Sequence, residues 1–251
     1  VSFKIISAGW QCSNYLEWTL ASVEEQSIPD WEIMIIDDAS TDPRQAEKIV
    51  KWCESRDKRW HYRINEINLG TPRNQYEGIH MLSPAPEDVI VFLDLDGDKL
   101  AHPKVLEQLR KYYADGTLVT YGSYIPVPDM GTSTPARPFP DKVVQNRSYR
   151  EAIRGGHTGF NHLRTMKAKV FYAMPESNFK WSDGSWYLHG TDYVFMTAAL
   201  ELADGKYKCI EEVLLIYNHA NPNADFRTKS VQSHACNTDY LQRSPLAPLG
   251  E

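Results

Sequence analysis

The chain is poor in cysteine. The four it has, Cys12, Cys53, Cys209 and Cys236, stand far apart with no Cys-x-x-Cys pair. That spacing gives little support to a thiolate metal site or a redox pair, and reduced thiols in a cytoplasmic protein are the expectation. Long apolar runs are also missing: none approaches the roughly 20 residues that cross a bilayer, so no membrane span is expected. The apolar start, Val1 to Ala8, is too short for a signal peptide and lacks its flanks, although a sequence opening on Val1 leaves a removed leader open. Positive charge is in deficit, 27 Lys and Arg against 33 Asp and Glu, and the net charge of −6 argues against non-specific nucleic-acid binding. There is no internal repeat and no low-complexity run. One glycosylation sequon, Asn146-Arg147-Ser148, has no secretory context and is read as chance. What remains, with 42% of 251 residues hydrophobic and 24% charged, is enough to bury the core of a globular protein.

Against that background one stretch stands out. Val89-Ile90-Val91-Phe92-Leu93 reads as a buried strand, and it runs straight into Asp94, Asp96 and Asp98. Three carboxylates within five residues repel one another unless a cation offsets them, and magnesium or manganese takes carboxylate oxygens. In open α/β sheets ligands bind at the carboxyl ends of strands. The plainer reading is an acidic turn that ends a strand.

Strand and helix alternate over the first 124 residues, which predicts an α/β fold with a mainly parallel sheet. Phe3 to Ile6 is a first strand, followed by a helix with Asn14 and Glu17 spaced as a capping box and Leu16, Leu20 and Val23 on one face. Glu32 to Ile36 is a second strand, nearly all apolar as buried parallel strands are, and it ends in Asp37-Asp38. Pro43 opens a second helix, Tyr62 to Ile64 is a short strand, and Asn68 to Asn74 is a loop entering a helix. Pro103 opens another helix, and Leu118 to Tyr124 is a further strand.

Five prolines between Ile125 and Asp141 break regular structure, and a loop over the site is expected there. From Arg137 to Lys169, eight Lys or Arg face only two acids, a local excess that suits phosphate as well as it suits a solvated surface. A helix is expected from Asp192 to Ala203, a strand from Tyr207 to Tyr217, and an irregular tail after His219.

In a parallel sheet the acidic ends at Asp37/Asp38 and Asp94/Asp96/Asp98 share one rim. Carboxylates there could grip a nucleotide at both ends, one set at base or ribose and one through a metal at the diphosphate. Arg73 enters from the same side and suits a phosphate.

At this point the residues resemble a known family. Asn14-Tyr15-Leu16, Pro29-Asp30-Trp31-Glu32-Ile33, Ile36 to Asp42, Asn68-Leu69-Gly70 with Arg73-Asn74, and Phe92-Leu93-Asp94-Leu95-Asp96 together resemble family 2 glycosyltransferases of the GT-A fold. The resemblance covers about half the chain. It implies a Rossmann-like, mainly parallel sheet flanked by helices, with residues 1–124 as the donor half and 125–251 as an irregular acceptor half of one domain. It also implies inverting transfer from a nucleotide-diphosphate sugar, a UDP-sugar in the first instance, to a glycan or other hydroxyl-bearing acceptor, with Mn2+ or Mg2+.

Carried over by position, Asp37 and Asp38 would meet base or ribose, with Ser7 and Trp10 nearby, Trp10 stacking on the base. Arg73 would lie near the donor, Asp94 at ribose or sugar, and Asp96 on the metal. His219 would be a further metal ligand. Asp192 would be the general base, in Gly190-Thr191-Asp192 where Thr191 replaces the usual Glu; an ordinary helix N-cap is the alternative. Asp183, Trp186 and His189 would line the acceptor side, and Asp98 has no assigned task. Two other functions compete. Leu93 to Gly97 also resembles the opening motif of haloacid-dehalogenase-type phosphatases, with Asp94 as nucleophile and Asp96 beside it. But Asp98 stands where Thr is needed, and the Gly-Asp-x-x-x-Asp motif is missing downstream. The scaffold could also bind a nucleotide sugar without catalysis.

Overall fold

The computed structural model describes residues 1–128, 133–157, 160–223 and 225–250. In chain order the elements are β1 (Phe3–Gly9), α1 (Leu16–Glu24), β2 (Trp31–Asp37), α2 (Pro43–Glu54), β3 (Trp60–Ile64), α3 (Thr71–Leu82), β4 (Val89–Phe92), β5 (Lys99–Leu100) and α4 (Val105–Tyr112). They continue with β6 (Val119–Val127), α5 (Asp141–Gln145), α6 (Tyr149–Arg154), β7 (Arg164–Lys167), α7 (Ala168–Tyr172), α8 (Thr191–Ala203), β8 (Tyr207–Asn218), α9 (Asp225–Thr228) and α10 (Ser230–Gln242).

Among the described residues all eight strands join one sheet in the order β3-β2-β1-β4-β7-β6-β8-β5, so a single sheet spans both halves of the sequence. The first four strands are parallel, as expected for apolar strands covered on both faces. Along β1 and β2 alternate residues serve opposite cores. Ile5, Ile33 and Ile35 pack with Leu16, Leu20 and Val105, while Ile6, Met34 and Ile36 pack with Ile79, Phe92 and Phe195.

Four local expectations change. The sequence reads the strand after β4 as β6, yet β7 inserts between them, antiparallel to both. Its residues Arg-Thr-Met-Lys carry no apolar alternation because its buried polar groups are met across the sheet: the Thr165 hydroxyl pairs with Tyr113 at 2.6 Å and Thr120 at 2.5 Å, and Lys167 with Glu87 at 2.6 Å. The capping box does not form, since Tyr15 precedes the helix with no side-chain cap and Glu17 instead accepts from Lys48. The tail after His219 is helical rather than irregular. α10 buries only Cys236, Tyr240 and Leu241, too few to print a pattern, and tertiary contacts sustain it. The expected loop over the site is packed down where it is described: Thr134 bridges to Tyr124, and Ala136 and Phe139 are buried. Residues 129–132 of it lie outside the described residues.

Candidate active site

The parallel register brings the two acidic strand ends to one rim. Gly9 lies opposite Asp37, and the main chain beyond β4 keeps pairing with β1 through Leu93 N–H to Ile6 O and Leu95 N–H to Ala8 O, both 3.1 Å. Leu93 and Leu95 are buried in the core beside α1, which turns Asp94 and Asp96 to the opposite side. Both line a cleft of about 290 Å3, together with Trp10, Asp38, His162, Arg164, Asp192 and Tyr217. Of the predicted rim acids Asp38, Asp94 and Asp96 thus meet Asp192 of α8 in one cavity, whereas Asp37 and Asp98 do not line it.

Asp37 and Asp38 are buried and differ in task. Asp37 accepts from Ser40 N (3.1 Å) and Gln45 Nε2 (2.9 Å), and its pKa is raised chiefly by burial. Asp38 spends its oxygens on the loop after β3: Oδ1 accepts from Asn65 Nδ2 (2.9 Å) and Leu69 N (2.7 Å), Oδ2 from Gly70 N (3.0 Å). Trp10 is 37% exposed rather than part of the core. Ser7 is buried within β1 and is not among the residues lining this cleft.

The turn after β4 is held from β8. Asn218 N–H donates to Asp98 Oδ1 (2.8 Å) and Asn218 Nδ2 to the Asp96 carbonyl (2.6 Å), while Asn221 Nδ2 reaches Asp96 Oδ2 at 3.4 Å. Gly97 sits at φ +104°, and a Cβ there would fall 2.5 Å from Asn218 Nδ2, so only glycine fits. Asp98, which the sequence left without a task, is fully buried. Burial first, then Asp96 and Asp94, pushes its pKa well above the carboxylate range. Ligand atoms of Asp94, Asp98 and His162 lie within 4.8 Å of one another. His219 is not in that group: its N–H donates to Val127 O, and its ring stands edge-on to Tyr217.

Asp192 is the second residue of α8. Gly190, in the left-handed conformation, caps that helix without a side-chain bond, so the N-cap alternative for Asp192 does not hold. Its carboxylate is instead ion-paired to Arg164. Of the eight cations from Arg137 to Lys169, Arg164 alone lines the cleft. Five others pair elsewhere, Arg147 with Asp204, Arg150 with Glu201, Arg154 with Glu151, and Lys167 and Lys169 with Glu87. Arg73 pairs with Glu77 at 2.7 Å and lies 5.6 Å from the Trp186 ring. Asp183 is exposed and accepts from Ser185. Trp186 packs on Tyr76 and Phe179, and none of Asp183, Trp186, His189 or Arg73 lines the cleft. His162 and Arg164 went unassigned from sequence; the only signal was Arg164's membership in the basic run.

The sequence profile described as Glycosyl transferase family 2 matches residues 5–173. The chain belongs to that family. A Bacillus subtilis (strain 168) protein named for teichuronic acid biosynthesis, the glycosyltransferase TuaG, is 35% identical over 108 residues, 42% of this chain and 40% of that protein. An uncharacterized glycosyltransferase of Haemophilus influenzae is 31% identical over 121 residues, 48% of this chain and 46% of that protein. The chain thus matches less than half the length of these curated relatives. Residues 1–349 of S. aureus TarS, solved with UDP-GlcNAc, superpose with a TM-score of 0.58 at 15% identity over 88% of this chain and 59% of that one. The mannosyltransferase PcManGT of Pyrobaculum calidifontis, solved with GDP-Man and Mn2+, gives 0.56 at 17% identity, covering 98% of this chain and 65% of that one. The chain has the GT-A fold that these solved structures share. The phosphatase reading of Asp94 and Asp96 falls with that membership. No helix among the described residues is long and apolar enough to cross a membrane.

Proposed function

We propose that this glycosyltransferase moves a sugar, with inversion, from a nucleotide-diphosphate donor to an acceptor hydroxyl in the cleft between the β4 turn and α8. The observation that carries the reading is that Asp38, Asp94, Asp96 and Asp192, from three separate elements, line one cavity. Trp10 offers an exposed ring face for the base. Asp37 and Asp38 shape the donor rim by holding the loops at 38–40 and 65–70.

The donor set suits a hard divalent ion. Two carboxylates and an imidazole converge, and the buried Asp98 Oδ2 has no hydrogen-bond partner among the described residues. Asp94, Asp98 and His162 would hold Mn2+ or Mg2+, with Asp96 a further carboxylate on the same turn. When bound, such an ion supplies positive charge to a diphosphate leaving group. His162 is suited to that place because burial, then Arg164, keeps its imidazole neutral. Asp192 acts as general base: it takes the proton of the acceptor hydroxyl as that oxygen bonds to the anomeric carbon and the carbon–diphosphate bond breaks on the opposite face.

The test is a thermal-shift screen of UDP, GDP and their sugars with and without Mn2+, run beside donor turnover on a panel of glycosides. Metal-dependent stabilisation by a nucleoside diphosphate is expected. Asp192→Asn should retain it and lose transfer. Hydrolysis of a simple phosphate ester with no nucleotide-dependent shift would overturn the proposal, and an unimpaired Asp192→Asn enzyme would remove Asp192 from it.

A further inference from the structure

Two arginines of this protein are buried, and they are satisfied in different ways. Arg150 in α6 is saturated: Nε and Nη2 bind the two oxygens of Glu201 (2.6 and 3.0 Å), Nη1 donates to the carbonyls of Tyr240 (2.6 Å) and Arg243 (3.1 Å), and Nη2 also meets the Tyr240 hydroxyl. Both partners are shut from solvent, so that pair ties α6, α8 and α10 together. Arg164 is 6% exposed at the side chain, yet its carboxylate partner Asp192 is 51% exposed in the cleft. Its guanidinium lies against the His162 ring, and its Nε is buried with no acceptor among the described residues. A buried guanidinium left short of acceptors is costly as a structural element. The position is set by the sheet, because Arg164 pairs with Phe92 across β7 and β4, two residues before Asp94.

Only one side of Asp192 is anchored. Gly190 gives α8 a cap without a side chain, and the carboxylate in the first turn meets the floor of the cleft through Arg164. A short, half-exposed side chain at a helix start would otherwise sample several rotamers toward water.

We propose that Arg164 is the positioning residue of the base: anchored in β7 with Nη2 against His162, its Nη1 holds Asp192 Oδ1 at the orientation from which the carboxylate meets the acceptor hydroxyl. This rests on Asp192 being the base. A lysine would supply the charge but not the second contact, at His162, that holds the group in place.

Donor turnover and transfer are measured for Arg164→Ala, Arg164→Lys, Asp192→Asn and the double variant Arg164→Ala/Asp192→Asn. Misplacing the base should lower kcat by about 100-fold in Arg164→Ala, with the donor KM little changed. Arg164→Lys should recover only part of the loss, and added guanidinium ion below denaturing concentration should restore activity to Arg164→Ala. In the Asp192→Asn background Arg164→Ala should cost nothing further. If the alanine variant fails to fold, by its melting curve, the kcat and KM of Arg164→Lys decide. A raised donor KM with kcat intact, losses that add in the double variant, or no rescue by guanidinium would overturn the proposal. Full activity in Asp192→Asn would instead overturn the base beneath it, a separate outcome read from a separate variant.

Discussion

The Arg150–Glu201 pair allows a stability prediction worked from geometry. Glu201 lies in α8, where every residue from Val194 to Ala203 is buried, and its carboxylate also accepts from Leu246 N at 3.0 Å. Glu201→Gln keeps the shape and removes the charge, leaving a buried guanidinium uncompensated. Breaking one partner of a buried pair costs about 3–5 kcal/mol. Unfolding a chain of this length carries an entropy on the order of 0.5 kcal/mol per degree, so the melting temperature should fall by about 8 °C. Replacing both partners by apolar residues, Arg150→Met with Glu201→Leu, should cost less than Glu201→Gln, because no stranded charge remains. Calorimetric melts of the wild type, Glu201→Gln, the single variants Arg150→Met and Glu201→Leu, and the double variant check this. A drop of under about 2 °C for Glu201→Gln would show the guanidinium finding other acceptors or water. A double variant as unstable as the two single losses combined would refute the argument, since the pair would then not be coupled.

Four further outcomes follow from the same geometry. Asp38→Ala strands the N–H groups of Leu69 and Gly70 and should cost about 2–4 kcal/mol in a denaturant melt, whereas Asp96→Asn should weaken metal-dependent nucleotide binding with little loss of stability. Gly190→Ala places a Cβ 2.5 Å from Asn237 Oδ1 at a φ of +79°; it should destabilise by about 1–3 kcal/mol and reduce transfer more than donor binding, since it displaces α8 from α10. Hydrogen bonds from Lys167 and Lys169 hold the Glu87 carboxyl at about 2, below its ordinary 4.5. A depressed folded pKa gives stability that is present above the ordinary value and lost as pH falls toward the folded one. Glu87→Gln should therefore flatten the acid limb of the stability curve across that window, by under about 1 kcal/mol because the side chain is largely exposed.

Some of the site was legible in the residues because it follows from local chemistry. Apolar runs ending in acids at Asp37/Asp38 and Asp94/Asp96/Asp98 mark strand ends, and parallel pairing puts such ends on one rim whatever the loops do. The motif pattern of the first half then identified the family. Legibility faded where residues act through distant partners. Asp98 looked idle because its partner, Asn218, is 120 positions away. His162 and Arg164 flank the start of a strand whose polar sequence hides it. Asp183, Trp186, His189 and Arg73 were placed by motif neighbourhood, yet their side chains lie outside the cleft lining, where Glu77, Ser185 and the aromatic cluster around Tyr76 engage three of them.

By itself, then, the sequence determined the α/β class, the parallel strands of the first half, the family and the acids at the rim, since periodicity and strand-end chemistry are local properties. The insertion of β7, the docking of α10 and the pairing of Arg164 with Asp192 were decided only by the tertiary structure. Each depends on a polar group meeting its partner across the fold, and a buried hydrogen bond or ion pair leaves no period in the chain that makes it.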